Sequence, residues 1–430
     1  MAVEEIDTLV VGAGQAGIAM SEHLGLCGVP HIVIERGRIA ERWRSERWDS
    51  LVANGPAWHD RFPGMEIPGA DPDSFVGKEA MADYFAAYAT MIQAPVRCGV
   101  EVLDVRRRIG RPGFLVETSR GLIEANNIVA ATGAFQHPAR PDIVPDGFGL
   151  LQIHSRDYRN PGQLPDGSVM VVGAGSSGVQ IADELRRAGR RVYLSVGPHD
   201  RPPRSYRGRD FCWWLGVLGK WDLDTPGPGT EHVTIAVSGA RGGETIDFRR
   251  LAAQGMVLVG RTNDYSDGIM TFAPDLRENI ERGDASLFAI LDEADAYVDR
   301  NGLDLPPEPA ARIVDPEAEC IANPILELDL AEAGVQAIIW ATGYTVDYSW
   351  LKVDTFDENG RPRHQRGVSA EPGIYFLGLP WQSRRGSSFI WGVWHDAKFV
   401  ADRISTQRRY RDYGAANHRA TAAAATFVRS

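Results

Sequence analysis

The residues of this chain whose types and spacing can do chemistry form two glycine clusters and one amide. Gly12-Ala13-Gly14-Gln15-Ala16-Gly17 follows the apolar run Thr8-Leu9-Val10-Val11 and opens a helical segment, Ile18 to Leu26. In a strand, glycine turn and helix, the first glycine permits the tight turn, the second lets a pyrophosphate approach the backbone, and the third lets helix and strand pack closely. The phosphates then meet unpaired N–H groups at the positive end of the helix. A second apolar run, His31-Ile32-Val33-Ile34, ends on Glu35. That is a little over 20 residues on, where a carboxylate can bind ribose hydroxyls.

The pattern then recurs. Ser168-Val169-Met170-Val171-Val172 leads into Gly173-Ala174-Gly175-Ser176-Ser177-Gly178, a helical segment Val179 to Arg187, and a strand Arg191 to Val196. Two matches in the same context indicate a duplicated dinucleotide site. The copies differ at one place. Counting from Gly173, the position of Glu35 falls on Val196, beside Ser195. Arg190 and Arg191 lie just before that strand, and Arg201, Arg204 and Arg207 just after it. A missing carboxylate with arginines nearby suits a ribose 2′-phosphate, hence NADPH rather than NADH.

Further cofactor-contact candidates lie at loops and strand ends. Arg36, Arg42, Trp43, Arg44 and Trp48 occupy a polar stretch after Glu35, and Val102 lies in a run of short strands. Ala131-Thr132-Gly133 and Ala341-Thr342-Gly343 both end buried strands, Gly378 ends another, and Gln382 lies in the polar loop that follows. The amide is Asn54, in Leu51-Val52-Ala53-Asn54-Gly55-Pro56, where an Asn-Gly turn is the plain alternative. His59 and His395 stand beside tryptophans, where a histidine is usually a packing residue.

These groups need elements to position them. Gly77 to Ile92 has helical spacing, with Met81, Tyr84, Phe85 and Tyr88 on one face. Val96–Val105, Phe114–Thr118 and Leu122–Val129 read as a small β-meander. Phe135 to Gly167 reads as a linker. Phe248 to Gly260 reads as helix then strand, and Leu276 to Arg300 and Phe389 to Ile404 as helices. The tryptophans at 213, 214 and 221 form an aromatic cluster, more often core than substrate wall.

Composition bounds the function. The 430 residues are 43% hydrophobic and 24% charged, an ordinary globular mixture. A net charge of −11 argues against a general nucleic-acid or anionic-membrane binder. No apolar run is long enough to span a bilayer, and the start, Met1-Ala2-Val3-Glu4-Glu5, is acidic where a signal peptide is basic. The expectation is a cytoplasmic protein. Cys27, Cys98, Cys212 and Cys320 form no CxxC or CxH pair, which argues against a redox dithiol and a zinc site.

Together these motifs resemble two-domain flavoprotein oxidoreductases, and more narrowly the flavin-containing monooxygenases of class B, YUCCA-like bacterial flavoproteins included. Phe148, His154, Tyr158 and Arg159 match the linker signature F-x-G-x-x-x-H-x-x-x-Y/F-K/R, with Leu150 at the glycine place. The run Leu379-Pro380-Trp381-Gln382 and Arg385-Gly386-Ser387 extend the likeness. The resemblance implies an α/β fold of two Rossmann-like three-layer domains. An FAD domain (1–150 and 336–430) would hold an inserted NADPH domain (160–335). It implies reduction of FAD by NADPH, capture of O2 as a flavin C4a-hydroperoxide, and oxygenation of an amine, sulfide, aromatic or carbonyl substrate. Asn54 looks like the asparagine near the flavin, and a homodimer is the family expectation. Baeyer–Villiger chemistry, a disulfide-reductase-like activity and a non-oxygenating redox partner or sensor are the alternatives.

Overall fold

Each glycine turn lies at the end of its own largely parallel sheet. The computed structural model describes residues 3–147, 149–224 and 234–427, with side chains to 413. Phe148 of the linker signature lies outside the described residues. The first sheet has nine strands. Its central part runs Ile374–Phe376, Gly121–Ala130, Glu4–Val11, His31–Glu35, Val96–Cys98, all parallel. Val102–Arg107 and Phe114–Thr118 form an antiparallel ribbon on Gly121–Ala130.

Strand residues alternate between faces, and here both faces are covered. Val10, Val33 and Val129 pack under the helical layer, with Ile18 and Leu24 of Gln15–Leu26 and Tyr84 and Phe85 of Lys78–Met91. Leu9, Val11, Ile32, Ile34 and Ile128 point the other way, onto Val105, Phe114 and Val116 of the ribbon. That is why these strands read as continuous apolar runs rather than as alternating ones. The helix Ile390–Phe427 joins the first layer through Val393, Ala397 and Val400. The two ends of the chain therefore share one core.

The second sheet repeats this plan. Its order is Val257–Val259, Val192–Ser195, Ser168–Val172, Val335–Trp340, Leu151–His154, parallel throughout. Val169, Val171 and Leu194 face helices Ser176–Arg187 and Leu276–Asn301. Met170, Tyr193 and Trp340 face a three-stranded antiparallel sheet through Met270 and Phe272. The chain thus has two three-layer α/β Rossmann-like folds, the second inserted into the first.

Two sequence expectations change. The strand Val335–Trp340 was expected to open the return to the first sheet at 336, yet it joins the second. The return comes at Ile374–Phe376. An apolar β-branched run fits either sheet, and the turn it must meet decides: Ala341 abuts Gly173, as Ala131 abuts Gly12. The stretch 135–167 is also more than a linker, since Leu151–His154 is an edge strand of the second sheet. Among the described residues, no helix is long and apolar enough to cross a membrane.

Candidate cofactor crevice

The two turns are built alike. Gly12 and Gly173 both have φ +105°, a region that L side chains rarely adopt. A Cβ on Gly12 would stand 2.7 Å from the Ala131 carbonyl oxygen, and one on Gly173 2.6 Å from that of Ala341. A Cβ on Gly17 or Gly178 would come within 1.8 Å of the carbonyl oxygen of Gly12 or Gly173. The middle glycines differ in kind. A Cβ on Gly14 meets nothing within 4 Å, so the bare backbone there faces open space. This is the cradle a pyrophosphate requires at a helix N-terminus. At Gly175 the nearest atom is Thr234 Cγ2 at 3.5 Å.

Around the first turn, Glu35 accepts hydrogen bonds from the Ala13 and Gly37 amides at 2.9 and 2.8 Å. A carboxylate offers about four acceptor positions, so it retains capacity for ribose hydroxyls. Gln15 reaches to the Ser388 carbonyl at 2.9 Å, and Ala16 lies against Gly378. Gln382 is buried, and its Nε2 has no partner. A buried donor is rarely left unpaired, which suits a ligand with acceptors beside it. These features fit a dinucleotide on the first turn.

Arg42 donates to the Phe135 carbonyl at 2.5 Å, which ties it to the Ala131-Thr132-Gly133 strand end. Burial lowers its pKa. Arg44 pairs with Glu79 and Asp83 instead, and Arg36 is exposed. Val102 lies in the antiparallel ribbon opposite Thr118. The residue that meets the end of the Glu35 strand is Val100, whose amide donates to the Glu35 carbonyl at 3.0 Å.

Between the folds lies a crevice of about 160 Å³. Trp43, Trp48 and Asn54 line it from one side, Ser176, Ser177 and Gln180 from the other, with Phe135 and Tyr344 at the strand ends. Asn54 is exposed there and held at two points. Gln180 Nε2 donates to its Oδ1 at 2.9 Å and to the Val237 carbonyl at 2.9 Å. Arg204 donates to its backbone carbonyl at 2.6 Å. The Asn54 Nδ2 makes no hydrogen bond among the described residues and stays available as a donor. Gly55 keeps the loop tight, donating to Asp60 at 3.0 Å.

The arginine argument for a 2′-phosphate fails on geometry. Arg201 is buried and bound to Asp284 at 2.6 and 2.8 Å. Arg204 is buried on Asp210 at 2.7 Å, with its guanidinium over the Phe75 ring. Arg207 pairs with Asp295 at 2.7 Å. Arg190 donates to the Gly167 carbonyl, at the start of the strands, whereas ligands gather at their carboxyl ends. Arg191 lies over Tyr193. Ser195 is also withdrawn, buried and bonded to Gly260 and Thr262. Position in sequence could not distinguish an arginine facing a ligand from one pinning a loop.

Of the linker-signature residues, Arg159 joins the two folds, while His154 and Tyr158 bind within the second. His154 Nε2 lies 2.9 Å from the Gly343 carbonyl oxygen. Tyr158 donates to Glu184 at 2.7 Å, and burial and that carboxylate push its phenol pKa up. Arg159 donates to the Ser45 carbonyl at 2.5 Å. His59 is clamped by Asp60 at 2.7 Å and stacked on Trp221. His395 packs between Trp391 and Trp394, and burial lowers its pKa. Sequence reasoning missed Gln180 and the Arg204 contact. Gln180 was findable, four residues after Ser176 and so on the same helix face.

Two mirrored dinucleotide folds around one crevice define a flavin- and nicotinamide-dependent oxidoreductase. Residues 9–207 match the family model described as pyridine nucleotide-disulphide oxidoreductase. Along nearly its whole length the chain is 34% identical to an uncharacterized CzcO-like oxidoreductase of Geobacillus kaustophilus (93% of this chain, 98% of that protein). It is 26% identical to the indole-3-pyruvate monooxygenase YUCCA1 of Oryza sativa subsp. japonica (95% and 94%). Among solved structures, the flavin-containing monooxygenase of Stenotrophomonas maltophilia shares the fold with a TM-score of 0.64 at 19% identity (94% and 99%). The chain belongs to the family of CzcO-like oxidoreductases, and its similarity extends to flavin monooxygenases.

Proposed function

We propose that the protein is an FAD- and NADPH-dependent monooxygenase acting on a small organic substrate with O2. FAD is assigned to the turn at Gly12 and Glu35, and NADPH to the turn at Gly173. The single observation that carries this reading is Asn54. It is an amide donor held at the crevice by Gln180 of the second fold and left with a free Nδ2. Bound FAD, once reduced by NADPH, supplies O2 activation for transfer of one oxygen atom to substrate. The chain's part is positional. The amide of Asn54 donates a hydrogen bond without being a strong proton source, and Trp43, Trp48 and Phe135 line the crevice with apolar surface that limits water. The preference for NADPH rests on the absence of a carboxylate at Val196, since the five arginines near that strand are engaged elsewhere.

A disulfide-reductase activity is disfavoured because no cysteine lines the crevice, and Cys212 lies buried in an aromatic cluster. The reading is tested by loading the purified protein with FAD and mixing it anaerobically with NADPH. Rapid bleaching of the flavin, followed by NADPH-coupled oxygen uptake in a screen of amines, sulfides and ketones, is expected. No flavin reduction by NADPH or NADH would refute it.

A further inference from the structure

A second cavity, of about 200 Å³, lies apart from the crevice. Its walls connect through neighbouring hydrogen bonds to both nucleotide turns. Ile235 lines it, and the Ile235 carbonyl accepts the Ser176 hydroxyl at 2.7 Å. Arg385 lines it from the turn Arg385–Ser388, whose last carbonyl binds Gln15 of the first turn.

The charges of this cavity are unusual. Lys220 and Glu293 neutralise each other at 2.8 Å. Arg385 and Asp200 interact only through space. Among the described residues, neither side chain makes a hydrogen bond or an ion pair within 4.0 Å, although both line the same space. Arg385 is half-buried, and burial lowers its pKa while Asp200 acts in the opposite sense. A cation and a carboxylate that are kept partly from water and meet only through space leave hydrogen-bonding capacity open to a ligand. A lone anion would satisfy Arg385 but face Asp200, and a lone amine the converse. Only a ligand carrying both charges satisfies both walls. The remaining surface, with Pro202, Phe211, Ala289 and Ile290, is apolar.

We propose that this cavity binds a zwitterionic α-amino acid with an apolar side chain, its carboxylate on Arg385 and its ammonium on Asp200. The proposal goes beyond the monooxygenase reading and does not rest on it, since the cavity lies apart from the crevice. The test is calorimetric titration of the flavin-loaded protein with L-phenylalanine, 3-phenylpropanoate and 2-phenylethylamine. L-Phenylalanine should bind at least tenfold more tightly than either single-charge analogue. Arg385→Gln should abolish the preference over the amine, and Asp200→Asn the preference over the acid, each with flavin content unchanged. Equal binding of the three probes, no binding of L-phenylalanine, or a preference indifferent to both substitutions would overturn the proposal.

Discussion

Replacing Gln180 with methionine probes the account where the two folds meet. Methionine keeps the length of the side chain and removes the donor. Two bonds are lost, to Asn54 Oδ1 and to the Val237 carbonyl, each 2.9 Å long. A hydrogen bond of this kind contributes about 1 kcal/mol net. Asn54 is exposed, so its freed oxygen rehydrates and the stability cost of the change is small, about 1–2 kcal/mol in all. The orientational effect is larger in proportion. A 1 kcal/mol preference holds roughly 85% of molecules in the favoured arrangement against one alternative, and its loss leaves about 50%. The misoriented fraction rises about threefold. Without substrate, NADPH oxidation ends in hydrogen peroxide, so the peroxide release rate of Gln180→Met should rise about threefold. Asn54→Ala should rise at least as much, and the double variant should add little to Asn54→Ala. If Gln180→Met matches the parent while Asn54→Ala does not, the tether is irrelevant. If neither variant changes the rate, Asn54 has no part in shielding the reaction.

The mirrored turns make separable predictions. Gly17→Ala forces a Cβ into the Gly12 carbonyl and should abolish flavin retention. Gly178→Ala does the same at Gly173 and should leave flavin bound but slow its reduction by NADPH at least tenfold; retained reduction in stopped flow would contradict the assignment of the turns. Arg201→Met leaves Asp284 with Arg249 alone and should cost about 1–3 kcal/mol in urea unfolding, with the NADPH:NADH ratio of kcat/KM unchanged; a shifted ratio would restore Arg201 as a cofactor contact. His23, buried against Trp394, has its pKa lowered by burial to about 4. Between that value and its unfolded pKa of about 6.5, the unfolded chain binds the extra proton. The contribution is fully present above the unfolded value and is lost as pH falls towards the folded one, up to about 3 kcal/mol. His23→Gln should flatten the loss of stability between pH 6.5 and 4, measured by denaturant midpoint.

Much of the fold was legible because its signals are local. A glycine at φ +105° and a third glycine under a carbonyl are demanded by geometry wherever a strand turns into a helix over a ligand, so Gly12, Gly17, Gly173 and Gly178 announced themselves. The helices at Lys78–Met91 and Leu276–Asn301 fall within a residue of expectation. What failed was long-range. The run Val335–Trp340 has the same composition whichever sheet it joins. Arg201 and Arg204 lie close to the nucleotide strand in sequence, but their partners Asp284 and Asn54 come from a distant helix and from the other fold. Burial decides whether an arginine meets a phosphate or a carboxylate, and burial is not written in spacing. The same holds for the contact of Gln180 with Asn54, which belongs to an element far away in the chain, although the helix face of Gln180 could be read from its spacing.

The central claim is that the crevice directs oxygen from O2 into an organic substrate. It is tested most directly by turnover with NADPH under 18O2 across the amine, sulfide, ketone and amino-acid substrates, with products read by mass spectrometry. The account predicts a product carrying one 18O atom for each NADPH consumed. Recovery of all the label as hydrogen peroxide, with no labelled product from any class, would contradict it.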